Sequence, residues 1–273
     1  MEIGFQQEKC IRCGLCLKDC LGGILEKDPE GFPRLSPDNG KYCIKCGHCF
    51  AICPAGAVVF NGKTAGDAPT AGPVPAGNEM ANLLRQRRSI RSYQPQAIDP
   101  EKMAQLKEIL TWTPTGCNDH KLIFSIVEDK EIMDEIRAKV IARLQFLMKS
   151  GIAQLIFPPA KRYFHDIMDG TDVIFRGAPH LIIASTPKKA PCADWDAKIA
   201  LSYFDTMAQS LGLGTCWCGF AVYAFRLMPS LKKKLALPRG YRIDAAMLFG
   251  EPAIQYARPT LPEPFRIDRI MGA

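Results

Sequence analysis

The sequence has 273 residues, of which 47% are hydrophobic, so it is long and apolar enough to bury a core as one large domain or two smaller ones. The formal net charge is +7, but no basic run is interleaved with aromatic residues, which argues against nucleic-acid binding. The longest apolar stretch, residues 211–225, is too short and too rich in glycine to span a membrane.

Twelve cysteines are many for a chain whose first ten residues contain no apolar signal core. Nothing in the sequence indicates the oxidising compartment that a disulfide framework needs, so we expect a cytoplasmic protein. Eight of the cysteines fall in two similar runs, CIRCGLCLKDC at 10–20 and CIKCGHCFAIC at 43–53, which are offset by 33 residues. This internal duplication organises the first part of the chain.

Both runs have the spacing C-x2-C-x2-C-x3-C. Three thiolates two residues apart can surround one face of a 4Fe–4S cluster, whereas the fourth lies too far along and ligates the other cluster. The spacing therefore predicts two ligand sets, which are Cys10, Cys13, Cys16 and Cys53 for cluster 1, and Cys20, Cys43, Cys46 and Cys49 for cluster 2. A four-cysteine zinc site is the alternative, but it does not need eight cysteines in a duplicated register.

Residues 5–60 resemble bacterial two-cluster ferredoxins. We therefore expect residues 1–60 to form a small ferredoxin-like module of ββα repeats. Gly14 and Gly47 let the backbone pass close to each cluster, and Pro54 follows Cys53 as is usual, although Leu21 follows Cys20. Two clusters of about −2 charge each reduce the net charge to roughly +3, and exposed clusters favour a cell with little oxygen.

The next stretch, residues 61–79, is rich in Gly, Pro, Ala and Thr and has almost nothing to bury, so it is predicted to be a linker. From residue 80 to 273 the pattern becomes globular. Helices outnumber strands and strict βαβ alternation is missing, which favours an α+β domain.

Several elements of this domain can be predicted from capping and periodicity. Asp99 and Pro100 begin a helix with apolar residues at Met103, Leu106, Ile109 and Leu110. Asp129 begins a long helix that Gly151 ends, with apolar residues at Ile132, Ile136, Val140, Leu144 and Leu147. A third helix, from Asp194 or Asp196 to Gly212, passes through Ile199, Tyr203 and Met207, and Lys232–Lys234 form a solvated helix face. Strands are expected at residues 122–127, 180–186 and 245–249.

Three segments could bind a cofactor, although each also has a simpler structural explanation. LLRQRRSIRSY at 83–93 is either a solvated basic face or a set of arginine forks for a phosphate. TPTGCN at 113–118 is either a plain turn or a set of exposed backbone donors beside a flat ring. LGLGTCWCG at 211–219 fits a helix end at Gly212 that leads into a buried strand.

Together, in this order and spacing, these segments resemble the nitroreductase family of FMN enzymes over residues 80–273. RRSIRSY is similar to its Arg-x-Ser-x-Arg element, and PTGCN is similar to its Pro-Ser-Ala-x-Asn turn. FRGAPHLII and LGLGTCWCG resemble later core segments, and GEPA with Arg258 resembles the closing Gly-Tyr-Pro-Ala and basic tail.

The resemblance implies an α+β sandwich that forms an intertwined homodimer with two FMN at the interface. It implies that Arg87, Arg88, Ser89 and Arg91 bind the FMN phosphate, ribityl chain and pyrimidine edge, with Arg258 added at the phosphate. It further implies that Pro114, Thr115, Gly116 and Asn118 flank the ring as the partner subunit's contribution. Cys216, Trp217, Cys218 and Gly219 would lie along the other ring face near N5.

Some positions depart from the family pattern. His120 stands in place of Gln, Leu122 in place of an aromatic residue, and Pro262 near the place of a second basic residue. These differences affect substrate contacts and one phosphate contact. Cys117, Cys192 and Cys218 are expected to be small buried thiols, and His120 is expected to have a structural role.

The leading hypothesis is an iron–sulfur flavoenzyme that passes single electrons from the clusters to FMN, whose N5 then reduces a nitro, quinone, enone or similar small acceptor. No catalytic side chain is assigned. A ferredoxin or another donor supplies the electrons, and no nucleic-acid or membrane partner is expected. One alternative is an adaptor that delivers electrons to a redox protein without a small-molecule substrate. Another is an enzyme whose substrate is flavin itself or a halogenated ring.

Overall fold

The computed structural model describes residues 3–151 and 158–271, so the predicted outer domain limits at residues 1 and 273 lie outside the described residues. Contacts divide the chain into two compact units. Unit 1 contains the described residues up to Val74 together with Cys117–Asp119. Unit 2 contains Pro75–Gly116 and the described residues from His120 onward.

Unit 1 consists of two small antiparallel strand pairs and two short helices. Strand β1 (Ile3–Phe5) pairs with β4 (Val58–Phe60), and β2 (Leu25–Lys27) pairs with β3 (Pro33–Leu35). The cysteine loops lead into helices α1 (Leu15–Asp19) and α2 (His48–Ala51), which follow glycines with φ of 72° and 73°. Along the chain the order is β1, α1, β2, β3, α2, β4, so each cysteine loop and its helix lie between two strands. This small module of strands and short helices agrees with the predicted ferredoxin-like fold.

Unit 2 contains a four-stranded antiparallel sheet with the order β5-β6-β8-β7. Its strands are β5 (Ile123–Val127), β6 (His180–Pro187), β7 (Gly214–Trp217) and β8 (Tyr241–Gly250). All three predicted strand segments and the strand expected after Gly212 are present. The last strand begins at Tyr241, four residues before the predicted start, since its first residues pair with the end of β6.

Seven α-helices accompany this sheet in the described residues. They are α3 (Gly77–Gln86), α4 (Pro100–Ile109), α5 (Lys130–Lys149), α6 (Phe164–Met168), α7 (Ala193–Ser210), α8 (Gly219–Leu227) and α9 (Pro229–Lys234). Helix α3 begins inside the stretch predicted to be a linker, which also holds a short 3-10 turn at Ala65–Asp67. No helix in residues 3–151 or 158–271 is long and apolar enough to cross a membrane.

Strand β6 is buried on both sides, because helices cover both faces of the sheet. Leu181 and Ile183 join a core with α5 and α8, whereas Ile182 and Ala184 join a second core with α4 and α7. The α+β prediction is therefore confirmed for this unit.

Two predicted helix faces need correction. On α5, Met133 is fully buried, whereas Ile132 is 41% exposed. On α7, Phe204 and its neighbours at helical spacing form the core face, so Ile199 and Tyr203 are exposed. Both helices carry apolar residues on more than one face, and periodicity alone does not select between such faces.

Candidate cofactor sites

The first cysteine run lines one wall of a cavity in unit 1. This cavity contains Cys10, Cys13, Cys16 and Cys53 together with apolar side chains such as Phe5 and Pro33. Burial raises the pKa of the Cys16 thiol, and the neighbouring Cys53 and Cys10 raise it further through their negative charge. The fold therefore brings the last cysteine of the second run to the first three cysteines of the first run.

The second set of thiols is grouped in the same crossed way. Burial raises the pKa of Cys20, with additional contributions from Cys43 and Cys46. Burial also raises the pKa of Cys49 to about 11, and Cys46, Cys20 and Cys43 contribute to this increase. Cys20 therefore lies with the second run and not with its own, as the spacing predicts.

The donor set fits two 4Fe–4S clusters better than single metal ions. Within residues 3–151 and 158–271, no group of three or more His, Cys, Asp or Glu converges closely enough to hold one ion. A zinc ion gathers its thiolates at about 2.3 Å, whereas a 4Fe–4S cluster spreads four thiolates over four irons. The Ala57 N–H also lies 3.3 Å from Cys53 Sγ, the kind of amide contact that tunes a cluster.

In unit 2, the segment after helix α3 runs beside strand β7. Ser89 bridges Thr215, and the N–H of Ile90 donates to the carbonyl of Thr215 at 2.8 Å. A Cβ atom on Gly214 would lie 2.6 Å from Ile90 Cγ1, so only glycine permits this close approach. The arginine segment and the LGLGTCWCG segment thereby form one site.

Arg88 and Arg258, which are far apart in the sequence, line the same cavity here. The Nε and Nη2 atoms of Arg88 are buried and have no hydrogen-bond partner among the described residues. Its Nη1 atom donates to the carbonyls of Arg85 and Arg87 at 3.0 and 2.6 Å, which fixes the guanidinium. A fixed fork with two unused donors fits an anion such as the FMN phosphate. The same cavity includes Arg85, Gln209, Gly212 and Gly214.

Arg87 has a different environment. Its Nη1 atom lies 3.4 Å from Oδ2 of Asp205, whose side chain is only 7% exposed. The hydroxyl of Thr215 donates to the other carboxylate oxygen of Asp205. Asp205 is not among the residues predicted from the sequence, although an acidic residue on the apolar face of a helix is a usable signal. This pairing links α7, β7 and the arginine segment.

The Cys216–Gly219 segment alternates between core and surface. Cys216 and Cys218 are buried, whereas Trp217 is 39% exposed and Gly219 begins helix α8. Burial raises the pKa of Cys218 to about 11, so its thiol stays protonated near neutral pH and is a poor nucleophile. This agrees with the expected small buried thiol. Arg91 is exposed, and its Nη1 lies 3.5 Å from the carbonyl of Ser89.

The turn at residues 113–118 is held by other contacts. The N–H of Gly116 donates to buried Asp196 at 2.9 Å, and a Cβ on Gly116 would lie 2.4 Å from Cys192. Pro114, Thr115 and Gly116 do not line the Arg88 cavity within this chain. In unit 1, the side-chain amide of Asn118 donates to the carbonyls of Ile44 and Lys45 at 3.2 and 2.9 Å.

Two of the cysteines expected to be buried are not. Cys117 is exposed, and Cys192 is only half-buried. Cys117 has a φ of 53°, a backbone conformation that its sequence position did not indicate.

A second cavity contains two of the three positions at which the sequence departs from the family pattern. His120 and Leu122 line it with Thr113 and Thr115, and Lys107 and Glu128 form an ion pair of 2.7 Å among its lining residues. The backbone N–H of His120 donates to the Thr115 hydroxyl at 3.0 Å.

Comparison with known proteins identifies the family of this chain. The chain matches the model of the Nitroreductase family over residues 84–251 and that of the 4Fe-4S dicluster domain over residues 9–57. It is 28% identical over 191 residues to an FMN reductase (NAD(P)H) of Bacillus subtilis (strain 168), a match that covers 68% of this chain and 71% of that protein.

Solved structures show the same fold. A nitroreductase with bound FMN from Desulfitobacterium hafniense DCB-2 has a TM-score of 0.59 and 24% identity, over 72% of this chain and 100% of that one. A nitroreductase with bound FMN from Bacteroides fragilis NCTC 9343 has a TM-score of 0.56 and 20% identity, over 70% and 100%. The chain therefore belongs to the nitroreductase family and is an FMN-dependent oxidoreductase with an N-terminal 4Fe–4S dicluster domain.

Proposed function

We propose that this chain passes single electrons from two 4Fe–4S clusters to FMN and that it reduces a nitro, quinone, enone or similar electron-poor small molecule. The clusters supply one-electron transfer, and FMN supplies storage of two electrons and hydride delivery from N5. One observation carries the proposal. Arg88 holds two buried, unused donors in a cavity shared with Arg258, in the same chain as eight cysteines grouped into two sets.

The chain's own residues bind and orient these groups. Arg88 and Arg258 bind the FMN phosphate, and Arg85 adds positive charge to the same cavity. Ser89 and Arg91 continue the binding segment toward the ribityl chain and the pyrimidine edge. Arg87 supports that segment through its ion pair with Asp205. Because this carboxylate partly neutralises the guanidinium, Arg87 attracts the phosphate less strongly than Arg88 does.

The remaining residues border the ring or the clusters. Exposed Trp217 and the backbone at Gly219 lie along the flavin ring, whereas the Cys216 and Cys218 side chains support that strand from the core. The turn residues Pro114, Thr115, Gly116 and Asn118 complete a site of the second subunit. The crossed cysteine sets bind clusters 1 and 2.

We also infer that the protein is a homodimer. Trp195, Ile199 and Tyr203 form an exposed stripe on α7, with exposures of 68%, 37% and 41%. Near the C-terminus, Leu261, Phe265, Ile267 and Ile270 are each at least 90% exposed. Apolar surface of this extent is typical of an interface. Sedimentation equilibrium of the full-length holoprotein is expected to give twice the chain mass.

The similarity to an FMN reductase favours one further candidate, in which free flavin is itself the acceptor. This candidate uses the same cofactor sites and differs only in the product, which is reduced free flavin. Product analysis under nitrogen and under oxygen distinguishes reduced flavin from a reduced nitro compound or quinone.

The function can be tested on protein purified without oxygen. We expect about eight iron atoms and one releasable FMN per chain, with turnover of a nitroarene or a quinone driven by a reduced ferredoxin. Absence of flavin contradicts the proposal. If the protein exchanges electrons with a redox protein but reduces no small acceptor, it is an electron-transfer adaptor and not a reductase.

A matched pair of variants tests the route. The double variant Cys16→Ser with Cys49→Ser removes a ligand from each cluster and should lose turnover with the one-electron donor while it retains FMN. The variant Cys117→Ser changes an exposed cysteine outside both sets and should keep the iron content and turnover. Unchanged turnover in the double variant, with its iron lost, means that electrons reach FMN without the clusters.

A further inference from the structure

Arg12 lies inside the first cysteine run and lines the cluster 1 cavity with all four ligands of that cluster. Its Cζ atom is 4.1 Å from the centroid of the Phe32 ring, close enough for a cation–π interaction. The φ of Arg12 is 56°, an uncommon value for a residue with a side chain. The guanidinium therefore lies against a defined surface beside the cluster.

The turn that carries Phe32 is itself fixed. The N–H of Phe32 donates to Asp28 Oδ1 at 2.8 Å, and the N–H of Asp28 donates to the carbonyl of Phe32 at 2.8 Å. Phe32 is only 8% exposed. Gly31 has a φ of 88°, and a Cβ there would lie 3.8 Å from Arg12 Cδ, so the turn also contacts the arginine stem. These hydrogen bonds fix the backbone that carries the ring, and the low exposure of Phe32 restricts rotation of its side chain.

The charge of Arg12 is not neutralised by a nearby acid. Among the residues that the structure describes, Arg12 forms no ion pair and no hydrogen bond to a carboxylate. Glu26 on the adjacent strand pairs with Arg34 at 2.7 Å, and Asp28 Oδ1 accepts from two backbone N–H groups. A guanidinium stays protonated throughout the physiological pH range.

The second cysteine run offers an internal comparison. Lys45 occupies the position equivalent to Arg12, also with a positive φ, of 62°. Both side chains are exposed, but in the described part of the chain no aromatic ring lies under that of Lys45. The carbonyl of Lys45 is fixed by Asn118, but its ammonium group is not. The two repeats therefore differ in that Arg12 is stacked on a ring in the cluster 1 cavity, whereas the equivalent Lys45 has no such contact.

We propose that Arg12, confined by Phe32, raises the reduction potential of cluster 1 and so makes the two clusters unequal. Reduction adds one electron, supplied by the external donor, and takes the cluster with its thiolates from about −2 to about −3, with no bond broken and no proton moved. A fixed positive charge stabilises the more negative state. An electron in unit 1 then resides preferentially on cluster 1. The inference uses the clusters of the proposed function but not its acceptor.

The test is a redox titration of the full-length holoprotein, with dithionite as reductant and electron paramagnetic resonance as readout. Cys16→Ser, which lacks cluster 1, assigns the signals. Arg12→Gln should shift cluster 1 to lower potential and leave cluster 2 in place, with about eight irons retained. Phe32→Leu should shift cluster 1 in the same direction by less, because the charge remains but is no longer confined. Lys45→Gln is the matched control and should shift cluster 2 by less than Arg12→Gln shifts cluster 1.

An unchanged cluster 1 potential in Arg12→Gln, or equal shifts in the two glutamine variants, overturns the inference. Arg12→Lys keeps the charge and provides a second measurement if the glutamine variant binds less iron. The cluster 1 potential of Arg12→Lys should be lower than that of the wild type and no lower than that of Phe32→Leu. A potential equal to that of the wild type overturns the role of the stacked geometry. Neither result depends on turnover of a small acceptor, so a failure here is distinct from a failure of the proposed function.

Discussion

The two units build their sites from different amounts of chain. In unit 1 all eight thiols come from two runs of eleven residues, and two glycine turns and short strands hold them. In unit 2 the phosphate cavity combines a segment after α3, the end of α7, strand β7 and Arg258. A site of the first kind depends on single ligands, whereas a site of the second kind also depends on buried supports such as Asp205.

The largest expected effect is the loss of a cluster. Cys16→Ser and Cys53→Ser should each remove cluster 1, about four irons, because the two residues lie in one set although they belong to different runs. Cys20→Ser should remove cluster 2. Iron analysis and paramagnetic resonance check this, and FMN content should not change. If Cys53→Ser abolishes the same signal as Cys49→Ser and retains the signal that Cys16→Ser loses, the crossed arrangement is wrong.

Next comes the affinity for FMN. Arg88→Ala removes the two unused donors of the cavity, and charged hydrogen bonds contribute about 1.5–3 kcal/mol, so the Kd for FMN should rise roughly 10- to 150-fold. Quenching of flavin fluorescence on binding measures this. Arg239→Ala is the control, since it removes an exposed arginine outside the cavity. Equal affinities in the two variants would show that Arg88 does not bind the phosphate.

The support behind the cavity should contribute to stability as well as to binding. Arg87→Ala leaves the Asp205 carboxylate buried without its cation, and because Arg87 is partly exposed we expect a loss of about 1–3 kcal/mol in the free energy of unfolding. Combining it with Asp205→Asn should cost less than the sum of the two changes. Thermal unfolding, followed by FMN release, gives this double-mutant cycle. Strict additivity would mean that the two residues do not interact.

The smallest effect concerns pH. Buried His180 accepts from the Ile98 N–H at 3.0 Å and lies 3.2 Å from the Val127 carbonyl, and burial lowers its pKa. The folded state therefore keeps His180 neutral, while the unfolded chain binds a proton near pH 6.5. Its contribution to stability is complete above that pH and falls as the pH drops toward the lowered folded pKa. His180→Gln should flatten the decrease in Tm between pH 7 and 5, and exposed His165→Gln should not.

The cluster sites of unit 1 were easier to predict from the sequence than the phosphate cavity of unit 2. Three ligands of each cluster lie close along the chain, and the repeated spacing assigns the fourth ligand to the other run, so the sequence was enough to group them. Helix α4 was also predictable, because Asp99 accepts from the Glu101 N–H and Pro100 occupies the first turn. Asp205 was not predicted, because its role depends on Arg87 and Thr215, which tertiary folding brings to it. The buried face of α7 was also missed, since Leu201, Phe204 and several alanines form the core face, whereas Ile199 and Tyr203 are exposed.

The central claim is that electrons from the clusters pass through FMN to a small acceptor. The most direct measurement is rapid mixing of fully reduced protein with a nitroarene under anaerobic conditions, while flavin and cluster absorbance are followed together. The account predicts that both signals return to the oxidised state and that about four electrons per chain reach the acceptor, two from FMN and one from each cluster. Reoxidised flavin beside clusters that stay reduced would contradict it.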